Sequence, residues 1–294
     1  MRFTPRARRW LRAGVVTVAT MVAAALATTF WLLPAMSGRA LPLGTGRATP
    51  GPASATSPTA TPSGTPAATS SGTPSDPIQV VGLGDSVMAG TNCGCDGIAA
   101  EFADALAARD SVTAKAVNLG VAGYVTGDVL DDLQNDAPTR RAVSQADVVL
   151  VIIGANDMYD ALDSWKSGGC GRSCYTPVVA AMQTRLKGIL AEIATLEGSR
   201  QYTVLVDGYW NIFTDGQVAL HQGGWSQLSW SRAVTSAVND AIQDAASEAS
   251  DTFVGLRPVF TNVPDPLLAS DGDHPNAAGV RAIVKANLAA LPPR

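Results

Sequence analysis

Five short apolar runs rich in β-branched residues recur along the later part of the chain: Ile78–Leu83 (IQVVGL), Val112–Leu119 (VTAKAVNL), Asp147–Ile153 (DVVLVII), Tyr202–Gly208 (YTVLVDG) and Thr252–Leu256 (TFVGL). They lack the strict apolar–polar alternation of a half-solvated strand and read as strands buried on both faces. Between them apolar residues return every three or four positions, which marks helices with one buried stripe. The clearest begins with Thr176 and Pro177 as cap and first turn and continues through Val179, Met182, Leu186, Ile189, Ile193 and Leu196. A second stripe, Val234, Val238, Ile242 and Ala245, follows the Trp225–Trp230 region. Alternating strands and helices predict a parallel sheet covered by helices on both sides, with ligands bound outside the carboxyl ends of the strands.

The chain ahead of the first strand follows other rules. Arg2, Arg6, Arg8, Arg9 and Arg12 precede an uncharged run from Ala13 to Met36, the layout of an export signal. Its length approaches what a membrane-spanning helix needs, whereas Ala35-Met36-Ser37 offers a small-x-small cleavage site, so a signal-anchor tethering the chain through residues 13–36 and a cleaved peptide both stand. Either reading puts the rest of the chain outside the cytoplasm, extracellular or on the cell surface. Residues 37–76 are dominated by Pro, Ser, Thr, Ala and Gly and bury too little apolar surface to fold, so they read as a disordered linker. Residues 77–294 are long enough for one large core.

Charge sharpens the picture once the leader is set aside. Residues 77–294 carry 14 Lys and Arg against 24 Asp and Glu, a formal charge of −10, whereas the whole chain stands at −4. So acidic a surface argues against nucleic acid and anionic membrane as partners.

Four polar or glycine-rich stretches leave the predicted strand ends: GLGDSVMAG (Gly82–Gly90), NLGVAGYVTGD (Asn118–Asp128), GAND (Gly154–Asp157) and, by a longer route, LLASDGDHPNAAG (Leu267–Gly279). Only His221 and His274 could serve as an imidazole base. A serine hydroxyl needs such a base to become nucleophilic, and a carboxylate behind the imidazole holds its tautomer. Asp271 stands three residues before His274, where a turn can fold its carboxylate beneath the ring; Asp273 is adjacent and is expected to face solvent; Pro275 and Asn276 should start the last helix. Taken singly, Ser86, Asn156 and Asp157 read as turn residues, Gly120 as structural, Asp85 and Asp157 as loop supports and His221, which has no acidic neighbour, as a loop residue. Other motifs fail: Val87 stands where a dinucleotide fingerprint needs its third glycine, Met88 where a G-x-S-x-G elbow needs its last, and no H-E-x-x-H is present. No cofactor or metal is expected.

Together and in this order, the four stretches resemble the SGNH hydrolases, also called GDSL esterases and lipases. The resemblance implies a three-layer α/β/α sandwich around a mainly five-stranded parallel sheet, SGNH/flavodoxin-like. It also implies Ser86 as nucleophile, His274 and Asp271 as base and orienter, and the amides of Ser86 and Gly123 with the Asn156 side chain as oxyanion donors. The expected activity is hydrolysis of a small-molecule or polysaccharide acyl ester, lipid or acetylated glycan, by a monomer. A non-catalytic glycan-binding module and an acyltransferase using the same residues are the alternatives.

Cys93 and Cys95 follow the first strand, Cys170 and Cys174 the third, and an even count in an exported chain reads as disulfides, with zinc as the lesser alternative. Three connectivities are open. In the resembled topology the first and third strands are neighbours, so bridges between the two loops are as admissible as a local Cys170–Cys174 link. Trp165, Trp210, Trp225 and Trp230 fall in or beside the same loops, as a platform for sugar or acyl chain or as ordinary packing.

Overall fold

The computed structural model describes residues 76–261 and 263–291, so the expected export signal and all but the last residue of the expected linker lie outside the described residues. Strands β1 (Ile78–Gly84), β2 (Ala114–Gly120), β3 (Val148–Ile152), β4 (Thr203–Asp207) and β5 (Thr252–Val254) form one sheet in the order β2-β1-β3-β4-β5, parallel throughout. This is the flavodoxin-like order, in which the chain winds outward in opposite directions from β1 and β3. Helices α1 (Ile98–Asp110) and α8 (Ala277–Ala290) pack together as one layer; α2 (Thr126–Asn135), α5 (Arg172–Glu197) and α6 (Gly216–Ala249) form the other. Shorter helices α3 (Ala137–Val143), α4 (Tyr159–Gly168) and α7 (Arg257–Phe260) fill the connections.

All five side chains of β3 are buried, as its unbroken apolar run predicts. Fully burying each such chain contributes about 1.5–3 kcal/mol. The second strand departs from expectation. As the sheet's edge β2 is only half covered, with Lys115 and Val117 exposed while Ala114 and Ala116 pack toward the core, so it is not buried on both faces.

Helix α5 starts at Arg172, five residues before Pro177, which therefore sits inside the helix. The pyrrolidine nitrogen has no hydrogen for the Ser173 carbonyl, a loss tolerated here because it falls within the first two turns. That end is tied down by the Cys170–Cys174 bridge and by the Thr176 hydroxyl donating to the Arg172 carbonyl at 2.7 Å. Helix α6 likewise begins ahead of the tryptophans and bends at Gly224, where φ is +63°. His221 is thus on an exposed helical turn rather than in a loop. Both sulfur pairs are local, Cys93–Cys95 and Cys170–Cys174, each with Cα atoms 5.2 Å apart, so no bridge joins the two loops. Within each loop the partners already lie at bridging separation.

Asp207, at the carboxyl end of β4, is completely buried, and burial pushes its carboxyl up to about 8 although Asn287 donates to Oδ2 at 3.1 Å. The folded protein therefore holds a proton there that the unfolded chain releases near pH 4. The associated stability is fully present below that pH and is lost as pH rises toward about 8. Replacing Asp207 with Asn is expected to flatten the decline of Tm with pH across this window, as read by thermal melts of variant and parent; parallel curves would refute the assignment. For the cysteines, mass spectrometry of unreduced peptides is expected to recover the two local pairs and no free thiol, whereas an inter-loop linkage or four thiols would contradict them.

Candidate active site

Strand β1 delivers the chain directly into the turn that carries Ser86. Asp85 is buried; its Oδ1 accepts the Val87 N–H at 2.9 Å and its Oδ2 accepts the Tyr209 hydroxyl at 2.5 Å. The Ala89 N–H donates to the Asp85 carbonyl at 2.9 Å, closing one helical turn with Ser86 at its start. Asp85 is thus a support of this turn, and burial raises its carboxyl to about 6. A Cβ on Gly120 would lie 2.5 Å from the Ala89 nitrogen and 2.7 Å from the Met88 carbonyl carbon, so glycine alone lets the end of β2 close on the Ser86 turn. Its role is close approach, since its φ is not positive.

The histidine loop is built by the aspartate that the D-x-x-H spacing singles out. Asp271 Oδ1 accepts the backbone N–H groups of Asp273 and His274, both at 3.0 Å, which curls the loop around the carboxylate. Its Oδ2 lies 2.7 Å from His274 Nδ1, and His274 Nε2 lies 2.8 Å from Ser86 Oγ. A carboxylate at Nδ1 selects the tautomer protonated there and leaves the Nε2 lone pair facing the serine hydroxyl. Burial disfavours the charge on Asp271, but hydrogen bonds from the Asp273 amide, the His274 ring and amide, and Asn92 outweigh it and hold the carboxyl well below the usual range. Asn276 then caps α8, its side chain accepting from the Ala278 and Gly279 amides at 2.8 and 3.0 Å, with Pro275 just ahead as expected.

Asn156 enters from the other side, in a short 3₁₀ turn after β3. One hydrogen of its amide group goes to the Tyr124 carbonyl at 2.8 Å, leaving the other free to serve the cleft. Neighbouring Asp157 accepts from the Thr126 amide at 2.9 Å and hydroxyl at 2.6 Å, fastening this turn to the loop after β2. In that loop Gly123 is exposed, with φ of +83°. Among the described residues, the N–H groups of Ser86 and Gly123 form no hydrogen bond. Ser86, Asn156 and His274 line one cleft together with Asp273, Tyr159 and Trp210; Gly123 is not among its lining residues. The enclosed space is only ≈ 20 Å³, about enough for one water.

Two parts of the site differ from the sequence reading. Asp273 does not face solvent: it lines the cleft, where burial raises its carboxyl despite the adjacent imidazole. Adjacency to His274 does not turn it outward, because the loop is curled around Asp271 and does not run extended. Asn92, unremarked in the sequence, donates to Asp271 Oδ2 at 2.6 Å from a backbone with φ of +58°. Its position ahead of Cys93 was the available signal, because the Cys93–Cys95 bridge tightens the loop that carries it. Of the tryptophans, Trp165 and Trp230 stack with ring centroids 5.5 Å apart, Trp230 stacks on Phe213 at the same spacing, and Trp210 is buried against Phe260 at 4.1 Å. Among the tryptophans of the described residues, only Trp225 stands open, 69% exposed.

A serine, an imidazole and a carboxylate thus form one hydrogen-bonded chain at the switch point of a doubly wound sheet, an arrangement suited to hydrolysis. The GDSL-like lipase/acylhydrolase family matches residues 83–282, and the chain belongs to that family, as a carboxylic ester hydrolase. In fold it is similar to the lipase Lip_vut3 from a goat rumen metagenome, with 19% identity, a TM-score of 0.63, and coverage of 72% of this chain and 97% of that one. It is also similar to an acetylxylan esterase of Geobacillus stearothermophilus, Axe2, at 19% identity and a TM-score of 0.51, covering 72% and 93%. TesA matches at 16% identity and a TM-score of 0.51, covering 72% and 97%. No curated protein sequence matches the chain.

The geometry separates the roles of Asn92 and Asp273 by experiment. Asn92→Ala removes one charge-assisted hydrogen bond from Asp271 and is expected to lower kcat about tenfold with little change in KM. Asp273→Asn removes a carboxyl that burial raises within the cleft, so the acidic side of the kcat/KM pH profile should change. An unmoved profile would return Asp273 to the solvent-facing role.

Proposed function

We propose that the chain is an exported serine esterase that removes short acyl groups from a carbohydrate. The observation that carries this reading is the continuous hydrogen-bonded chain Asp271–His274–Ser86. Ser86 Oγ attacks the ester carbonyl while His274 Nε2 takes its proton, and Asp271 stabilises the imidazolium. The tetrahedral oxyanion receives the N–H groups of Ser86 and Gly123 and the second amide hydrogen of Asn156; one such donor is typically worth about 3–4 kcal/mol of barrier. Collapse expels the alcohol, protonated by His274, and a water activated by the same imidazole then frees the acid and regenerates Ser86.

Two features support the substrate class. Tyr159, half exposed at its rim, offers an aromatic face to a sugar ring. The net charge of −10 over residues 77–294 opposes docking on an anionic lipid surface. The similar acetylxylan esterase acts on an acetylated glycan, which agrees with this reading. Export rests on the leader, Arg2 to Met36, and on cysteines placed to pair; the chain acts as a monomer, released or tethered through residues 13–36.

Ser86→Ala is expected to abolish hydrolysis of a chromogenic acetyl ester with the circular dichroism spectrum unchanged, and a fluorophosphonate is expected to label Ser86 in the parent. Labelling at another serine, or product appearing only when an acceptor alcohol is added, would overturn the assignment or convert the esterase into a transferase. Activity rising steadily with acyl length would exclude the short-acyl reading.

A further inference from the structure

A cavity larger than the catalytic cleft lies beside it and shares Trp210 with it. It has a volume of ≈ 340 Å³, within the usual range for small-molecule sites, and is lined by Trp210, Asp215, Arg232, Arg257, Pro258 and Thr261. Two guanidinium groups converge on it from different elements, Arg232 from α6 and Arg257 from the first turn of α7, in a region of the chain where acids far outnumber bases. Their charge is poorly matched from within. Asp215 lies 3.4 Å from Arg232, but its Oδ1 also accepts the Gly216 N–H at 2.8 Å as the cap of α6. Asp265, the next acid at that helix end, is held by the Gln217 N–H at 2.8 Å. Arg257 bonds to the neutral Ser236 hydroxyl and, among the described residues, forms no ion pair.

Two further features border the cavity. Trp210 lines both this cavity and the catalytic cleft, and its indole N–H is buried without a partner among the described residues. Thr261, on the wall, holds φ of +57° and ψ of −160°, a conformation that a β-branched residue adopts only when its surroundings impose it, and one that recurs at ligand sites. Asp215 also connects the cavity to the catalytic loop, its N–H donating to the Gly272 carbonyl at 2.7 Å, between Asp271 and Asp273.

We propose that this cavity binds an oxyanion, a carboxylate or phosphate group, in the fork of Arg232 and Arg257. Planar guanidinium groups match such anions through paired N–H bonds, and Trp210 provides an apolar wall for the remainder of the ligand. The two sources of that chemistry are an acidic sugar of the glycan and a phosphorylated compound. This binding does not require the esterase reading, because it is measured without turnover.

Isothermal titration of the full chain at constant ionic strength would use sodium glucuronate, inorganic phosphate and, as the neutral control, methyl glucoside. Binding of either anion, with none of the glucoside, is expected, and the preferred anion identifies the source. Arg257→Gln and Arg232→Gln are each expected to weaken it about tenfold or more, as loss of a charge-assisted hydrogen bond does. Arg257→Lys, which keeps the charge and loses the fork, should weaken it less. Absence of binding to the parent protein at millimolar anion would overturn the proposal whatever the variants do, and so would binding that folded Arg257→Gln and Arg232→Gln retain in full.

Discussion

The position of β1 between β2 and β3 is the constraint on which the rest depends. Because the chain winds outward in both directions from this pair, the loops after β1 and β3 part and leave a crevice at their carboxyl ends. Ser86 rises on one side of it and Asn156 on the other. The two strands must approach closely for that, and an Ile152 carbonyl that would stand 2.0 Å from any Cβ on Gly84 shows how closely they do. A side chain at that point would push apart the turns that carry Ser86 and Asn156.

Three aspartates around Ser86 show how environment assigns different tasks to one residue type. Asp271 accepts four hydrogen bonds and stays ionised behind the imidazole. Asp85 is buried with the Tyr209 hydroxyl as its partner, and so acts as a structural clamp whose charge is disfavoured. Asp273 sits in the cleft itself, where its raised carboxyl faces whatever occupies the site. Hydrogen-bond count and burial, rather than distance along the chain, set these differences.

The rim is stiffened by short-range devices. Cys93–Cys95 constrains the loop that carries Asn92, and Cys170–Cys174 holds the start of α5, whose Cys170 carbonyl accepts the Trp230 indole N–H at 2.6 Å. Through Trp230 that start is joined to Trp165 and Phe213, and Phe213 lies 6.3 Å from Tyr159 at the cleft. A site formed by loops from four strand ends is thereby tied together by contacts within the chain.

What the sequence determined by itself is what local pattern encodes. Buried strands announce themselves as unbroken apolar runs, α5 by its stripe of Val179, Met182, Leu186, Ile189 and Ile193, and the contact of Asp271 with His274 by D-x-x-H, because three residues are enough for a turn to bring a carboxylate under a ring. Tertiary structure decided everything that depends on neighbours remote in the chain. It made β2 a half-exposed edge, since strand order is not written in any one strand. It chose local cysteine pairs over inter-loop ones, turned Asp273 inward, brought Asn92 across 179 residues to Asp271, and set Arg232 beside Arg257. The physical reason is common to all of these: a hydrogen bond, a bridge or a cavity between distant segments exists only after the sheet has fixed where each loop emerges, and neither periodicity nor spacing carries that information.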